Sequence, residues 1–431
     1  MIKKPLDSIK IGFVGLSHLG IVTSSVLSDK GFNTICFDED SSLIQKLQNF
    51  ESSVLEPGLD EILVKNQKKQ TFTNVVTDLM GCDFIYISKD VSTDSEGLSD
   101  TLEISHLIDL LSHQISPLPP VIILCQVPPG FTRKIDSLIP TSIFYQVETL
   151  IFGDAVNRSR HPERYIVGRS NSDVFLPEVY QRVLEYDKCP ILLMNYESAE
   201  LAKIAINLYL ASDISLSNSI AEVCEKVGAD WSEIVPALRL DRRIGEFAYL
   251  RPGLGISGGN IERDLVSILK ISDDSFADSQ VVKAFLEHSK YQKTWVVRKL
   301  TNILDLESRK LNIGILGLTY KENTHSIKNS SSIETIKQLA NRAHLFVYDP
   351  VIKHLDNLSQ DIIFMEFPED VFENTDIVLI LTPWDIFKKF NDGKVLSRFA
   401  NKIIVDPYGV LNEKLCISQS IVYLTLGKGN K

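Results

Sequence analysis

Short apolar runs alternate with amphipathic stretches between residues 10 and 168: KIGFVG, TICFD, DFIYIS, VIILCQV and RYIVG. Strand-length runs separated by helix-length segments predict βαβ units and a parallel sheet. From Glu197 the period changes. The segment ESAELAKIAINLYLASDISLSNSIAEVCEKVG places Leu201, Ile204, Ala205, Leu208, Ala211 and Ile214 at i, i+3, i+4 spacing and closes on Gly228. That pattern predicts one helix too long for a compact sheet layer. A Gly-rich loop, RPGLGISGGN, follows at Arg251 to Asn260, and a second helical stretch is predicted from about Asp278 to Ile303. At Leu311 the strand–helix rhythm restarts with LNIGILGL, HLFVYDP, DIVLILT and KIIVDP. The expected fold class is α/β: two domains with parallel sheets joined by a long central helix, divided as residues 1–195, 196–305 and 306–431.

Composition narrows the function classes. A chain of 431 residues has material for two buried cores. Its net charge of −11, with no basic stripe or tail, argues against broad binding to nucleic acid or anionic lipid. Any anionic ligand therefore has to be held by local donors. The longest apolar stretches, Val121 to Cys125 and Ile377 to Leu381, are far too short to cross a bilayer. The opening MIKKPLDSIK lacks the apolar core of a secretory signal. Six cysteines without CxxC pairing fit free thiols in a reducing cytoplasm, and no metal site is expected.

Chemistry enters with the turn after the first strand. Gly15-Leu-Ser17-His18-Leu19-Gly20 lies between a predicted strand and a predicted helix, and Asp38 closes the next strand. Both predicted domains are Rossmann-like, and such a fold puts a pyrophosphate on a helix N-terminus and an acid on the ribose hydroxyls. Ser17 stands where the middle glycine is expected. Asp38 disfavours a 2′-phosphate, so the expected cofactor is NAD rather than NADP.

Further motifs run in order along almost the whole chain: Glu56-Pro-Gly-Leu59, Val127-Pro128-Pro-Gly130, Glu197-Ser-Ala-Glu-Leu-Ala-Lys203-Ile-Ala-Ile-Asn207, Arg243-Ile-Gly245, Gly314-Ile-Leu-Gly-Leu-Thr-Tyr-Lys321 and Tyr348-Asp-Pro350. Together they resemble the UDP-glucose/GDP-mannose dehydrogenase family. The resemblance implies oxidation of the C6 hydroxyl of a nucleotide-diphosphate sugar to a carboxylate, with two hydrides passing to two NAD molecules. It implies catalytic roles for Lys203, Asn207, Asp264 and Glu148, and cofactor contacts at Gly15, Ser17, His18, Leu19, Gly20, Asp38, Val127 and Pro128. Lys203 and Asn207, at i and i+4, share a helix face. Arg243 corresponds to an arginine that reaches the partner's nucleotide sugar in a homodimer. Tyr249, Gly253, Gly255 and Lys321 correspond to substrate contacts.

The sequence departs from the family where the second oxidation occurs. A cysteine is expected after the Gly-Gly pair of the loop, and a lysine before the aspartate; here they are Asn260 and Arg263. An amide forms no thiohemiacetal or thioester. Gln126, Val91-Ser92 and Thr324-His325-Ser326 depart from the same pattern. Cys125, at a strand end, is read as a packed core thiol rather than a substitute nucleophile. Two functions stay open: an NAD-dependent oxidoreductase of a nucleotide-diphosphate sugar, which either stops at the aldehyde or oxidises its hydrate slowly without a covalent intermediate, and a catalytically silent nucleotide-sugar-binding or regulatory homologue.

Overall fold

The computed structural model describes residues 4–52, 54–93, 99–304, 310–355 and 362–429. The chain forms two compact units, Met1–Ile206 and Asn207–Lys431. The division falls inside the long helix, eleven residues after the expected boundary at 195/196. The expected boundary at 305/306 lies outside the described residues.

The first unit is built on strands β1 (Lys10–Val14), β2 (Asn33–Phe37), β3 (Gln70–Thr73), β4 (Phe84–Ile87), β5 (Val121–Ile123), β6 (Ile143–Gln146), β7 (Tyr165–Arg169) and β8 (Ile191–Asn195). Their order across the sheet is β8-β7-β6-β5-β4-β1-β2-β3. Strands β1 to β6 run parallel in the doubly wound order. Ile11, Phe13, Ile85, Ile87 and Ile122 are wholly buried, as expected of strands covered on both faces. The last two strands correct the expectation of a uniformly parallel sheet. β7, the RYIVG run, meets β6 antiparallel, and β8 then pairs parallel with β7. The link from β6 to β7 holds only a six-residue helix, Ala155–Arg160, which packs on helix α1 (His18–Asp29) instead of crossing the sheet. The chain therefore re-enters the sheet at the end it left, which sets β7 antiparallel to β6.

Helix α2 (Phe131–Asp136) follows β5, and helix α3 (Tyr196–Val227) is the long helix. The second unit continues with α4 (Trp231–Leu240), α5 (Asn260–Ser275), α6 (Gln280–Gln292) and α7 (Trp295–Ile303). The stretch expected as one helix over 278–303 is thus two. At the break, Thr294 donates both its N–H and its hydroxyl to Tyr291 O, a local bond that competes with the helical ladder. Six parallel strands follow: β9 (Leu311–Leu316), β10 (Ala343–Tyr348), β11 (Ile362–Phe364), β12 (Ile377–Ile380), β13 (Ile403–Val405) and β14 (Val422–Leu424). Their order, β11-β10-β9-β12-β13-β14, repeats the winding of the first sheet. No described helix is long and apolar enough to cross a membrane.

Candidate active site

In the first unit the loop after β1 is a tight glycine turn that brings a helix N-terminus close against the sheet. Gly15 has φ +82, and a Cβ there would lie 2.7 Å from Lys89 Cβ. At Gly20 a Cβ would come within 2.5 Å of Ser88 Oγ and 2.6 Å of Gly15 O, so only glycine lets α1 approach the sheet this closely. Ser17 caps α1 with φ −88 and ψ −169, an ordinary extended conformation, which is why no glycine is needed there. Its hydroxyl donates to Ser88 O at 3.1 Å and accepts from Asp90 N at 2.8 Å, tying the loop after β4 to the loop after β1. His18, Leu19 and Gly20 form the first turn of α1, whose leading N–H groups have no partner within a helix. Such a turn can receive an anion.

Asp38, at the end of β2, accepts from Leu16 N at 2.7 Å and from Asp40 N at 3.0 Å. Those two bonds leave lone pairs for ribose hydroxyls. His18 is held by Glu56, a residue of the EPGL motif: its Nε2 lies 2.7 Å from Glu56 Oε1, and its ring packs 4.1 Å from that of Phe152. Glu56 also accepts from Gly153 N and Ala155 N. The first turn of α1 is thereby joined to the segment after Glu148.

Val127 is buried and Pro128 half-buried in the loop that follows β5. This loop is held by a residue the sequence reading did not single out. Glu200, buried on α3, accepts from Gly130 N at 2.6 Å and Thr132 N at 2.8 Å. Burial pushes its carboxyl up, and the two backbone donors pull it partly back. Glu148, after β6, accepts from Thr149 N at 2.7 Å. Although the residue keeps some open surface, burial around its carboxyl raises the pKa against the opposing effects of that N–H, Lys203, Arg158 and Lys30. It lines a cavity of about 40 Å³ with Lys30, Arg158 and Tyr165, room for a water or two. Cys125 is wholly buried and its thiol is pushed far up by that burial, so it offers no thiolate.

In the second unit Asn207 donates through Nδ2 to Asp264 Oδ2 at 2.5 Å, and Arg263 Nε lies 3.7 Å from Asp264 Oδ1. All three are buried, so α3 and α5 share a polar cluster built around one carboxylate. Asn260 is exposed as the first residue of α5.

The Gly-rich loop before α5 is pinned rather than free. Trp231 Nε1 donates to Leu250 O, Gly253 N to Asn218 Oδ1, Ile256 N to Ser289 Oγ, and Ser331 Oγ to Leu254 O. Asn329 donates to Ile256 O, Gly258 O and Glu262, while accepting from Lys293. Gly255 has φ +87, and a Cβ there would meet Ser289 O at 2.7 Å. Gly253 packs on Tyr408, over whose ring Arg251 also lies. Lys321 sits 5.8 Å from the centre of the Tyr320 ring. Tyr249 is half-exposed, its N–H donating to Asp213. Arg243 projects into solvent, 88% exposed, bonded only to Asp241 two residues before it among the interactions described. His325 is exposed.

Models of the UDP-glucose/GDP-mannose dehydrogenase family match this chain three times: the NAD binding domain over residues 9–184, the central domain over 197–290 and the UDP binding domain over 314–413. A UDP-glucose 6-dehydrogenase of Rickettsia typhi is 28% identical over 433 residues, covering 97% of this chain and 99% of its own length. One from Bacillus subtilis is 26% identical, covering 97% of this chain and 93% of its own length. Among solved structures, a UDP-glucose dehydrogenase from Pyrobaculum islandicum matches with a TM-score of 0.85 at 23% identity, over 98% of this chain and 99% of that one. A UDP-D-ManNAc dehydrogenase from Pyrococcus horikoshii matches with a TM-score of 0.81 at 20% identity, over 97% and 99%. At such identities the structural likeness speaks for the fold, and the three domain matches in order speak for descent. The chain belongs to the UDP-glucose/GDP-mannose dehydrogenase family, nucleotide-sugar dehydrogenases whose N-terminal domain binds NAD.

Proposed function

We propose that this protein oxidises the C6 hydroxyl of a UDP-hexose with NAD and releases the aldehyde instead of carrying it on to the carboxylate. Two relatives are named UDP-glucose 6-dehydrogenases, which makes UDP-glucose the first substrate to test. Bound NAD would accept the hydride from C6. The loop at Gly15 to Gly20 and the Asp38 carboxylate would hold it, with Val127 and Pro128 beside it. The hydroxyl proton would pass to Asp264, directly or through a water, as the C6–H bond breaks. Asn207 orients that carboxylate, and Lys203 would donate to the sugar oxygen as charge develops there. Tyr249, Gly253, Gly255 and Lys321 would hold the nucleotide sugar on the pinned loop and the C-terminal sheet.

The observation that carries the reading is the contrast between Asp264 and Asn260. The buried carboxylate that serves the first oxidation is present and hydrogen-bonded, whereas the residue heading α5 has an amide and no nucleophile. Glu148, which in this family assists hydrolysis of the thioester, would then have no covalent intermediate to serve. Single-turnover reactions with a panel of nucleotide sugars test this through NADH yield and product mass. About one NADH per sugar and a trappable aldehyde are expected, and Asn260→Cys should add the second NADH. Two NADH with a uronate from the natural chain would refute the aldehyde reading. No NADH from any sugar, with binding intact, would instead mark a silent binder.

We also propose a homodimer built on α3. Tyr209, Leu216, Ile220, Val223 and Val227 recur along one side of this helix, and all are more than 40% exposed. Their spacings of seven, four, three and four residues make one continuous apolar stripe, better covered by a second copy than by water. Arg243, held away from its own unit, would serve the partner's substrate.

A further inference from the structure

One cation beside the cofactor loop has no part in the chemistry above. Lys89 follows Ser88 just beyond the C-terminal end of β4, at the end of a parallel sheet where ligands bind. Its stem packs directly on the dinucleotide loop, since a Cβ at Gly15 would fall 2.7 Å from Lys89 Cβ and 3.1 Å from its N. Its Nζ lies 3.8 Å from Asp38 Oδ2, and the side chain is 30% exposed, so the ammonium still reaches solvent.

This pairing bears on cofactor choice. An acid at the ribose accepts the 2′-hydroxyl and repels a 2′-phosphate, whereas a neighbouring cation accommodates the phosphate. Here both stand at ion-pair distance. The other acids of the same turn are already engaged: Glu39 lies 3.0 Å from His106 Nε2, and Asp40 caps the helix Ser41–Gln48 by accepting from Ser42 N and Leu43 N. Asp38, at the end of the second strand, is the acid expected at the ribose, and Lys89 is the cation that pairs with it.

We propose that Lys89 is a specificity-determining residue for the cofactor, its ammonium offsetting Asp38 and pairing with a 2′-phosphate, so that the protein turns NADP away only weakly. The proposal rests on Asp38 lying at the adenosine ribose. Titration calorimetry of the full chain with NAD and NADP tests it in the natural protein, Lys89→Met and Lys89→Arg. Removing the ammonium should leave NAD affinity nearly unchanged and weaken NADP about tenfold, the loss of roughly 1.4 kcal/mol for one charged contact. Lys89→Arg should keep NADP binding close to natural. An NADP-to-NAD ratio that does not move in Lys89→Met, while NAD still binds, would overturn the proposal. If Asp38→Asn leaves both affinities unchanged, the ribose placement itself fails and the proposal with it.

Discussion

Asn207→Asp exchanges one nitrogen for one oxygen in the buried cluster of the second unit, with almost no change of volume. In the natural protein the amide donates to Asp264 Oδ2 at 2.5 Å. A hydrogen bond to a charged group stabilises by roughly 1.5–3 kcal/mol. In the variant two carboxylates face each other at that distance and cannot both ionise, so the pair holds one proton up to a pH above the ordinary carboxylate range. The sign follows from linkage. A pair whose folded pKa is raised gives its full stability below the unfolded carboxylate pKa of about 4 and loses it as pH rises through the folded value. At pH 5 the shared proton restores an O–H···O⁻ bond, and the variant should melt close to the natural protein. At pH 8 the bond is gone, and at roughly 2–4 °C per kcal/mol the second unit should melt about 3–12 °C lower. Differential scanning calorimetry at the two pH values reads this directly. A deficit of equal size at pH 5 and pH 8, or none at either, would refute the claim that the amide of Asn207 holds the Asp264 carboxylate.

Two further outcomes are expected. Burial raises the pKa of Glu148, so its contribution to stability is present below the unfolded glutamate pKa and declines as pH rises through the folded value. Glu148→Gln should therefore melt higher than the natural chain at pH 8 and not at pH 5, measured by thermal denaturation at both; a lower melting point at pH 8 would contradict the burial argument. Leu216→Glu with Val223→Glu places two charges in the exposed stripe of α3 and should convert a dimer to a monomer in sedimentation velocity, with NAD binding retained. A natural chain that already sediments as a monomer at micromolar concentration would remove the dimer.

Much of the architecture was legible because each central strand is a short apolar run between amphipathic segments, a pattern that survives without any knowledge of partners. What the pattern missed was polar or directional. β3 reads QTFT and β6 reads IFYQ, and each carries a buried glutamine that breaks the apolar run. Gln146 accepts from the hydroxyls of Tyr86 and Tyr180, and Gln70 donates to Ser24 and Ser25, partners far away in sequence. The reversal at β7 was also hidden, because alternation of apolar and polar positions carries no sign for strand direction. On α3, the i, i+4 spacing of Lys203 and Asn207 was readable. Glu200 was not, since its role depends on two backbone N–H groups about seventy residues away.

The two Rossmann-like sheets show why a local motif alone does not tell a cofactor site from a structural turn. Each first strand leads into a glycine with positive φ, Gly15 or Gly317, whose N–H bonds the end of the second strand at Phe37 O or Tyr348 O. Each second strand then presents an aspartate to the backbone of the first loop, Asp38 to Leu16 N and Asp349 to Leu318 N. From there the chemistry diverges. Asp349 is 1% exposed and takes four further donors: Thr319 N, Val351 N, Ile352 N and the indole Nε1 of Trp384. Two carboxylate oxygens offer about four lone-pair sites, so Asp349 is saturated and has nothing left for a ribose. Asp38 has two backbone donors and a lysine at 3.8 Å, which leaves acceptor capacity on the side where Lys89 reaches solvent. The same turn therefore uses up its carboxylate in one unit and leaves it acceptor capacity in the other: three of the further donors to Asp349 are backbone N–H groups of its own two turns and the fourth is the Trp384 indole, whereas from outside its turn Asp38 meets only Lys89 among the described contacts.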